Sequence, residues 1–249
     1  MRISIIVLAL LWSTLSWAGE KSLVVGVEEL AYLPSYGWVD GAYKGAAADI
    51  FSAFAADQGY KVTFRPLPVR RLFAETLNGS VDIKFPDNPE WALDLKKGYQ
   101  LSYSSPVLDY VDGVVVKADH KGKGVDALHV LGTLGGFTVS EDWRKRIDAG
   151  RVTLKENSKL DQLLRQIALD RVDGAYVSVS AAFYEAENTL HERATFAFDP
   201  GLPFQKGSYM ASSVSHPEVI QDFSRWMETH RDVVKAIRIK WKADVEIGN

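Results

Sequence analysis

Among its 249 residues the chain has no cysteine. This excludes a disulfide framework, a thiolate metal site and a cysteine nucleophile, and removes the residue on which a bacterial lipid anchor is built. Histidine is sparse: His120, His129, His191, His216 and His230 lack metal spacing, and none has a carboxylate three or four positions on. No metal site follows, and with no nucleophile elbow, phosphate loop or zinc motif the sequence calls for no cofactor and no catalytic residues. There is no excess of positive charge either, with 29 Lys and Arg against 32 Asp and Glu, so nucleic acid is not an expected partner. Past the first eighteen residues, no run of apolar residues is long enough to suggest a spanning helix.

Residues 1–18 carry one charge at Arg2, an apolar run from Ile3 to Leu11 extended by Trp12 and Leu15, and a small-x-small close at Ser16-Trp17-Ala18. This is the pattern of a secretory signal cleaved after Ala18. Removing it takes away only Arg2, which moves the net charge from −3 to −4. An exported protein without disulfides or an anchor is expected in the periplasm of a two-membrane bacterium, soluble and monomeric. The rest of the chain exceeds a typical domain of roughly 100 to 150 residues, so one large or two modest domains are expected.

One pattern occurs twice. Val69, Leu72, Phe73, Thr76 and Leu77 precede Val81-Asp82, and Leu160, Leu163, Leu164, Ile167 and Ala168 precede Val172-Asp173, each position in the second copy lying 91 after its partner. The spacing is one face of a helix, followed by a short β-prone segment. Continuing the register pairs Phe85 with Tyr176 and Asp87 with Ser178, just past the expected strands. Two matching α/β lobes follow from this, with a ligand cleft beyond the carboxyl ends of their strands.

Elsewhere, Leu23 to Val27 reads as a central buried strand. Ala31 to Lys44 has no period and reads as a loop, and Ala47 to Gln58 as a helix stopped by Gly59. Lys61 to Phe64 is β-prone. Phe85-Pro86-Asp87-Asn88-Pro89 reads as a rigid loop rather than interior strand, because two prolines remove donors. The chain is expected to cross to the second lobe around Asp109 to Asp112, within or beside the β-rich run Tyr110 to Val116. It is expected to return after the turn cluster Asp199-Pro200-Gly201-Leu202-Pro203. Helices are expected near 141–147 and 180–187, from Pro217, and over 233–241. The implied division is 19–111 with 206–249 as lobe one and 112–205 as lobe two.

In order and spacing, Gly45 to Ile50, Pro68 to Arg71, Gly79 to Ile83, Tyr103-Ser104-Ser105-Pro106, Gly136-Phe137-Thr138 and Arg171 to Gly174 resemble the bacterial extracellular solute-binding proteins of family 3. The resemblance spans nearly the whole chain after the signal. It implies an α/β, two-lobed type II periplasmic-binding fold, each lobe a mixed sheet flanked by helices, with hinge strands between. It further implies capture of a small polar or aromatic solute for an ABC importer or a membrane receptor. Two departures bear on the solute. Where amino-acid binders of the family carry an arginine for the ligand carboxylate, Glu90 is followed by Trp91; where they carry an acid for its ammonium, Ser178 stands. A standard amino acid is thus not the expected ligand.

Candidate ligand contacts are Tyr36, Arg71, Phe85, Asp87, Tyr110, Gly136, Phe137, Thr138, Tyr176 and Ser178. Arg71 lies near a helix start, where anions are favoured, and would give the ligand a negative charge; the alternative is an ion pair with Glu75 or Asp82. The turn at Gly135-Gly136-Phe137-Thr138 would offer free amides to the cleft, although Thr138 and Ser140 could be ordinary helix caps. Tyr32, Tyr36, Phe85 and Tyr176 would wall an aromatic pocket, or belong to the core. Lys84 and Asp87 are charges beside an apolar strand end, either solvent-facing or functional. Trp91 and Trp143 are expected close to the cleft. The rival reading is an enzyme on the same fold, similar to the periplasmic cyclohexadienyl dehydratases, in which a cleft carboxylic acid protonates a leaving hydroxyl.

Overall fold

A computed structural model describes residues 21–243; the expected signal segment and its cleavage point lie outside the described residues. In chain order these form β1 (Lys21–Glu28), β2 (Ala31–Tyr32), β3 (Tyr36–Val39), β4 (Ala42–Lys44), α1 (Ala46–Gln58), β5 (Tyr60–Leu67), α2 (Val69–Leu77), β6 (Ile83–Asp87), α3 (Leu93–Lys96), β7 (Ser102–Tyr103), β8 (Leu108–Lys117), β9 (Val130–Leu134), α4 (Glu141–Asp148), β10 (Thr153–Asn157), α5 (Leu160–Ala168), β11 (Gly174–Ser178), α6 (Val179–Asn188), β12 (Phe196–Phe198), β13 (Gln205–Ser213), α7 (Pro217–Thr229) and α8 (Arg231–Trp241).

The two repeat units fold alike. Helices α2 and α5 bury the faces their spacing marks, Val69, Leu72, Phe73 and Thr76 in one and Leu160, Leu163, Leu164 and Ile167 in the other. Each feeds a strand parallel to an earlier one, β6 beside β1 and β11 beside β9. The earlier strands also pair in parallel with β5 and β10, so each half is a β-α-β-α-β unit. The likeness reaches single atoms. A side chain at Gly26 of β1 would meet Leu72 Cδ1 at 2.6 Å, and one at Gly132 of β9 would meet Leu163 Cδ1 at 2.4 Å. Only glycine lets each helix settle this close to its strand. Asp82 Oδ2 accepts the Val24 amide at 2.7 Å, and Asp173 Oδ2 accepts the His129 and Val130 amides, each at 2.7 Å.

Strands β8 and β13 join the halves. Tyr209 back to Gln205 of β13 pairs with Leu108 to Asp112 of β8, after which β8 takes β11 and then β12 as partners. Beyond Tyr209, β13 pairs with β6 and β7. The sheet order is β10-β9-β11-β8-β13-β6-β1-β5. Helices α7 and α8 return to α1, where Phe223 stacks on Phe51 at 4.7 Å between ring centres and Asp49 Oδ2 accepts from Lys240 and Trp241, each at 2.7 Å. No helix among the described residues is long and apolar enough to cross a membrane.

Two loop expectations are corrected. Residues 31–44 form a small antiparallel sheet, β2-β3-β4, whose strands are too short to display a period of two; Asp40 and Gly41, both at positive φ, make its tight turn. The segment read as a rigid loop is instead β6 as far as Asp87, lying between β1 and β13. Pro86 fits there because β1 pairs only as far as Phe85 and the β13 ladder shifts register between Met210 and Ser212, which frees Pro86 from donating.

Candidate functional site

Ligands in open α/β sheets meet the carboxyl ends of strands, and a narrow cavity of about 20 Å³ lies there, with Glu28 at the end of β1 among its lining residues. This is room for about one water. Tyr36, Val69, Phe73 and Trp91 contribute from the first half, Gly136, Phe137 and Thr138 from the second, and Asp112 and Tyr209 from the joining strands.

The walls touch across the gap. Ser178 donates its amide to Tyr32 Oη at 2.7 Å, the Tyr32 and Phe137 rings meet edge to face at 5.4 Å, and Arg70 pairs with Glu156 at 2.8 Å. A side chain at Gly136 would come within 3.1 Å of both Val69 and Arg70, so a glycine at positive φ lets the turn approach α2. The conformation is a closed one.

Glu28 is 2% exposed, and its Oε2 accepts from Tyr36 Oη at 2.9 Å. Burial pushes its carboxyl up to about 7, opposed by the positive charge of Lys84 and by the Tyr36 hydrogen bond. Asp112 is likewise pushed up to about 7, first by burial and then by the negative charge of Glu28. Among the described residues no hydrogen bond holds the Asp112 carboxyl. Behind this wall Lys84 is fully enclosed, donating to the Pro86 carbonyl and lying 4.1 Å from the Phe73 ring centre. Lys96 donates to Asp87 Oδ1 at 2.7 Å and to the Asn88 carbonyl at 2.6 Å. No group of three or more potential ligating side chains among the described residues suits a metal ion.

Of the residues singled out in sequence, Tyr36, Gly136, Phe137 and Thr138 line the cavity. Arg71 does not: its Nε donates to Glu75 Oε1 at 2.7 Å on the outer face of α2, the alternative left open above. Phe85 is core, packed on Tyr36 and Phe51. Asp87 serves Lys96 and Ser212. Tyr110 packs on Tyr209 at 4.7 Å, and Tyr176 belongs to the core of the second half. Ser178 meets the opposite half through its amide rather than its side chain. Trp91 lines the cavity, whereas Trp143 is enclosed and donates to the Pro203 carbonyl at 3.0 Å. The glycine turn offers no free amide at 135, 136 or 137, since these bond to Asn157, Glu156 and Leu134. Sequence reasoning passed over Glu28 and Asp112, although a charge closing or interrupting an apolar β run is a signal for both.

The family model for the bacterial extracellular solute-binding proteins, family 3, matches residues 23–169. No curated protein sequence matches the chain. Among solved structures, a histidine-bound substrate-binding protein of an ABC uptake transporter from Streptococcus pneumoniae is 18% identical, with a TM-score of 0.70 over 91% of this chain and 95% of that one. A histidine kinase sensor domain with similarity to periplasmic binding proteins is 19% identical, at 0.71 over 91% and 98%. An ancestral amino acid-binding protein, a precursor of cyclohexadienyl dehydratase, is 19% identical, at 0.69 over 88% and 95%. At these identities the likeness is one of fold.

Proposed function

The chain belongs to the bacterial extracellular solute-binding proteins of family 3, and from that premise we propose that it captures a small polar or aromatic solute between two lobes and presents the closed form to a membrane importer or receptor. The observation that carries this reading is a cavity at the strand ends lined from both halves of the chain. The lobes divide at 111/112 and 205/206, where β8 and β13 cross together, and bending of these two strands opens and closes the cleft. Export to the periplasm through a cleaved signal completes the reading.

An enzyme on the same fold draws some support from the two carboxyls pushed up to about 7, a range suited to proton donation. Such an enzyme would also need a cation for its substrate's carboxylate. Trp91 stands where the family's arginine would be, and no arginine or lysine lines the cavity. Binding without reaction is therefore the function proposed.

The test begins with protein purified from periplasm, its intact mass and the small molecules it releases on denaturation. Adding a released solute back is expected to shrink the scattering radius and shift Trp91 emission, with Trp91→Phe silencing the shift and Trp143→Phe preserving it. A solute that binds with no contraction would remove the hinge from the account.

A further inference from the structure

The charges around the cleft do not balance. Glu28 and Asp112 line the cavity, and neither has a basic partner within salt-bridge distance among the described residues. The buried lysines nearest to them are committed elsewhere: Lys84 to the Pro86 carbonyl and, at 3.6 Å, to Asp87, and Lys96 to Asp87 and the Asn88 carbonyl. Three carboxyls, Glu28, Asp87 and Asp112, thus face two ammonium groups, leaving the closed cleft one positive charge short. The arginines at its rim supply nothing, since Arg70 is held by Glu156 and Arg71 by Glu75. Glu28 is nearly sealed from solvent and its Oε1 has no hydrogen-bond partner among the described residues. A buried carboxylate in that position calls for a counter-charge.

The rest of the wall suits a cation as well. Tyr36, Trp91, Phe137 and Tyr209 are aromatic residues of the lining, while Phe73, also in the lining, already has Lys84 against its ring. The negative face of an aromatic ring attracts an organic cation once water is excluded. Features that would hold a carboxylate are few: no arginine or lysine lines the cavity, the turn amides at 135–137 are bonded within their own half, and Arg71 pairs with Glu75. This leaves the neutral donors of Thr138, whose amide and hydroxyl have no hydrogen-bond partner among the described residues. Building on the solute-binding reading, we propose that the cleft takes an organic cation, an amine or ammonium without a carboxylate, its charge met by Glu28 and Asp112 and its carbon body by the rings. Because Asp112 sits on the joining strand β8 and Glu28 at the end of β1, the cation draws together two parts of the chain that move relative to each other on closure.

Both carboxyls stand near 7, so cation binding weakens as they take up protons. The groups facing Glu28 are Lys84, Tyr32, Tyr36, Tyr43, Asp87 and Asp112, and those facing Asp112 are Glu28, Tyr32, Tyr110, Tyr176 and Tyr209. The tyrosines are neutral throughout this range.

Calorimetry and thermal shift with methylammonium, tetramethylammonium and 2-phenylethylammonium, set against 3-phenylpropionate, phenylalanine and 2-phenylethanol, test the charge class over a ladder of sizes. At least one cation is expected to bind and the anion to fail. Its affinity should be about tenfold higher near pH 8 than near pH 5.5, and about tenfold lower in Asp112→Asn or Glu28→Gln. Preserved circular dichroism and a single cooperative ligand-free melting transition would show that the variants fold. Tighter binding of the anion, the zwitterion or the neutral alcohol overturns the inference, as does cation affinity within about twofold of wild type in both variants. If no probe binds, the charge of the solute released from purified protein decides: a cation upholds the inference, and an anion or zwitterion overturns it alone. No released solute and no contraction with any probe overturn the solute-binding reading as well.

Discussion

Two acids of the cleft, Glu28 buried and Asp112 half-buried, set a pH dependence opposite to that of an ordinary ion-paired carboxylate. In the unfolded chain Glu28 and Asp112 release their protons near 4.5 and 3.8, while in the folded chain they hold them to about 7. Between those values the folded state binds more protons, so stability is fully present below about 4 and falls as pH rises through 7. We expect ligand-free protein to melt about 5 °C lower near pH 8 than near pH 5.5, and Glu28→Gln with Asp112→Asn to flatten that slope. Scanning calorimetry at the two pH values decides it; an equal slope in the double variant would remove these residues as its source. Both acids were legible as charges in apolar β runs, Val-Val-Gly-Val-Glu28 and Tyr-Val-Asp112-Gly-Val. Their convergence was not, because it depends on strand pairing between distant segments. Arg71 was misplaced for a reason visible in the sequence: the stripe at 69, 72, 73 and 76 that marks the helix also turns 71 away from the buried side.

At the scale of elements, the duplicated unit was readable because helical spacing is local and survives in sequence. The repeated helices run 69–77 and 160–168 and their strands 83–87 and 174–178, in the register of the sequence repeat. The matched glycines 26 and 132 lie at a different offset, since the connection between the first strand and the helix varies in length, and so escaped the same comparison. Gly132→Ala would press a methyl group onto Leu163 and is expected to cost about 1 to 3 kcal/mol. Leu163→Ala alone should cost about 2 to 5 kcal/mol by opening a cavity. In the double variant the alanine at 132 occupies part of that space, so the loss should fall short of additivity by at least about 0.5 kcal/mol. Urea denaturation of the three variants measures it, and strict additivity would mean that glycine and leucine are not packed as described. The short strands at 31–44 and the proline-bearing β6 were not legible as sheet, one for lack of length and the other because a register shift in its neighbour decides whether proline is tolerated.

For the molecule as a whole, the two-lobed architecture followed from the repeat, and the expected crossing near 109–112 falls where one β run, β8, changes partners from β13 to β11. What holds the closed form could not be read, because its contacts join residues far apart in sequence. Two of them differ in kind. Tyr32 Oη accepts the buried Ser178 amide, whereas Arg70 and Glu156 meet in solvent. Tyr32→Phe strands a buried donor and is expected to weaken solute binding about tenfold, mainly through faster release. Arg70→Ala should change affinity by less than about threefold. Stopped-flow release with any confirmed solute separates the two, and equal effects would show that the latch is not the buried one.

The uneven charge of the closed cleft bears on the fidelity of any signal the protein sends. A membrane partner keyed to the closed shape reads closure as a report of occupancy, so a protein that shuts on nothing sends a false report. Above neutrality, shutting without a cation sets Glu28 against Asp112 with only Lys84, itself shared with Asp87, to offset them, and such reports are suppressed. In acid both groups are neutral, the restraint disappears, and the partner's background rises without any change in solute concentration.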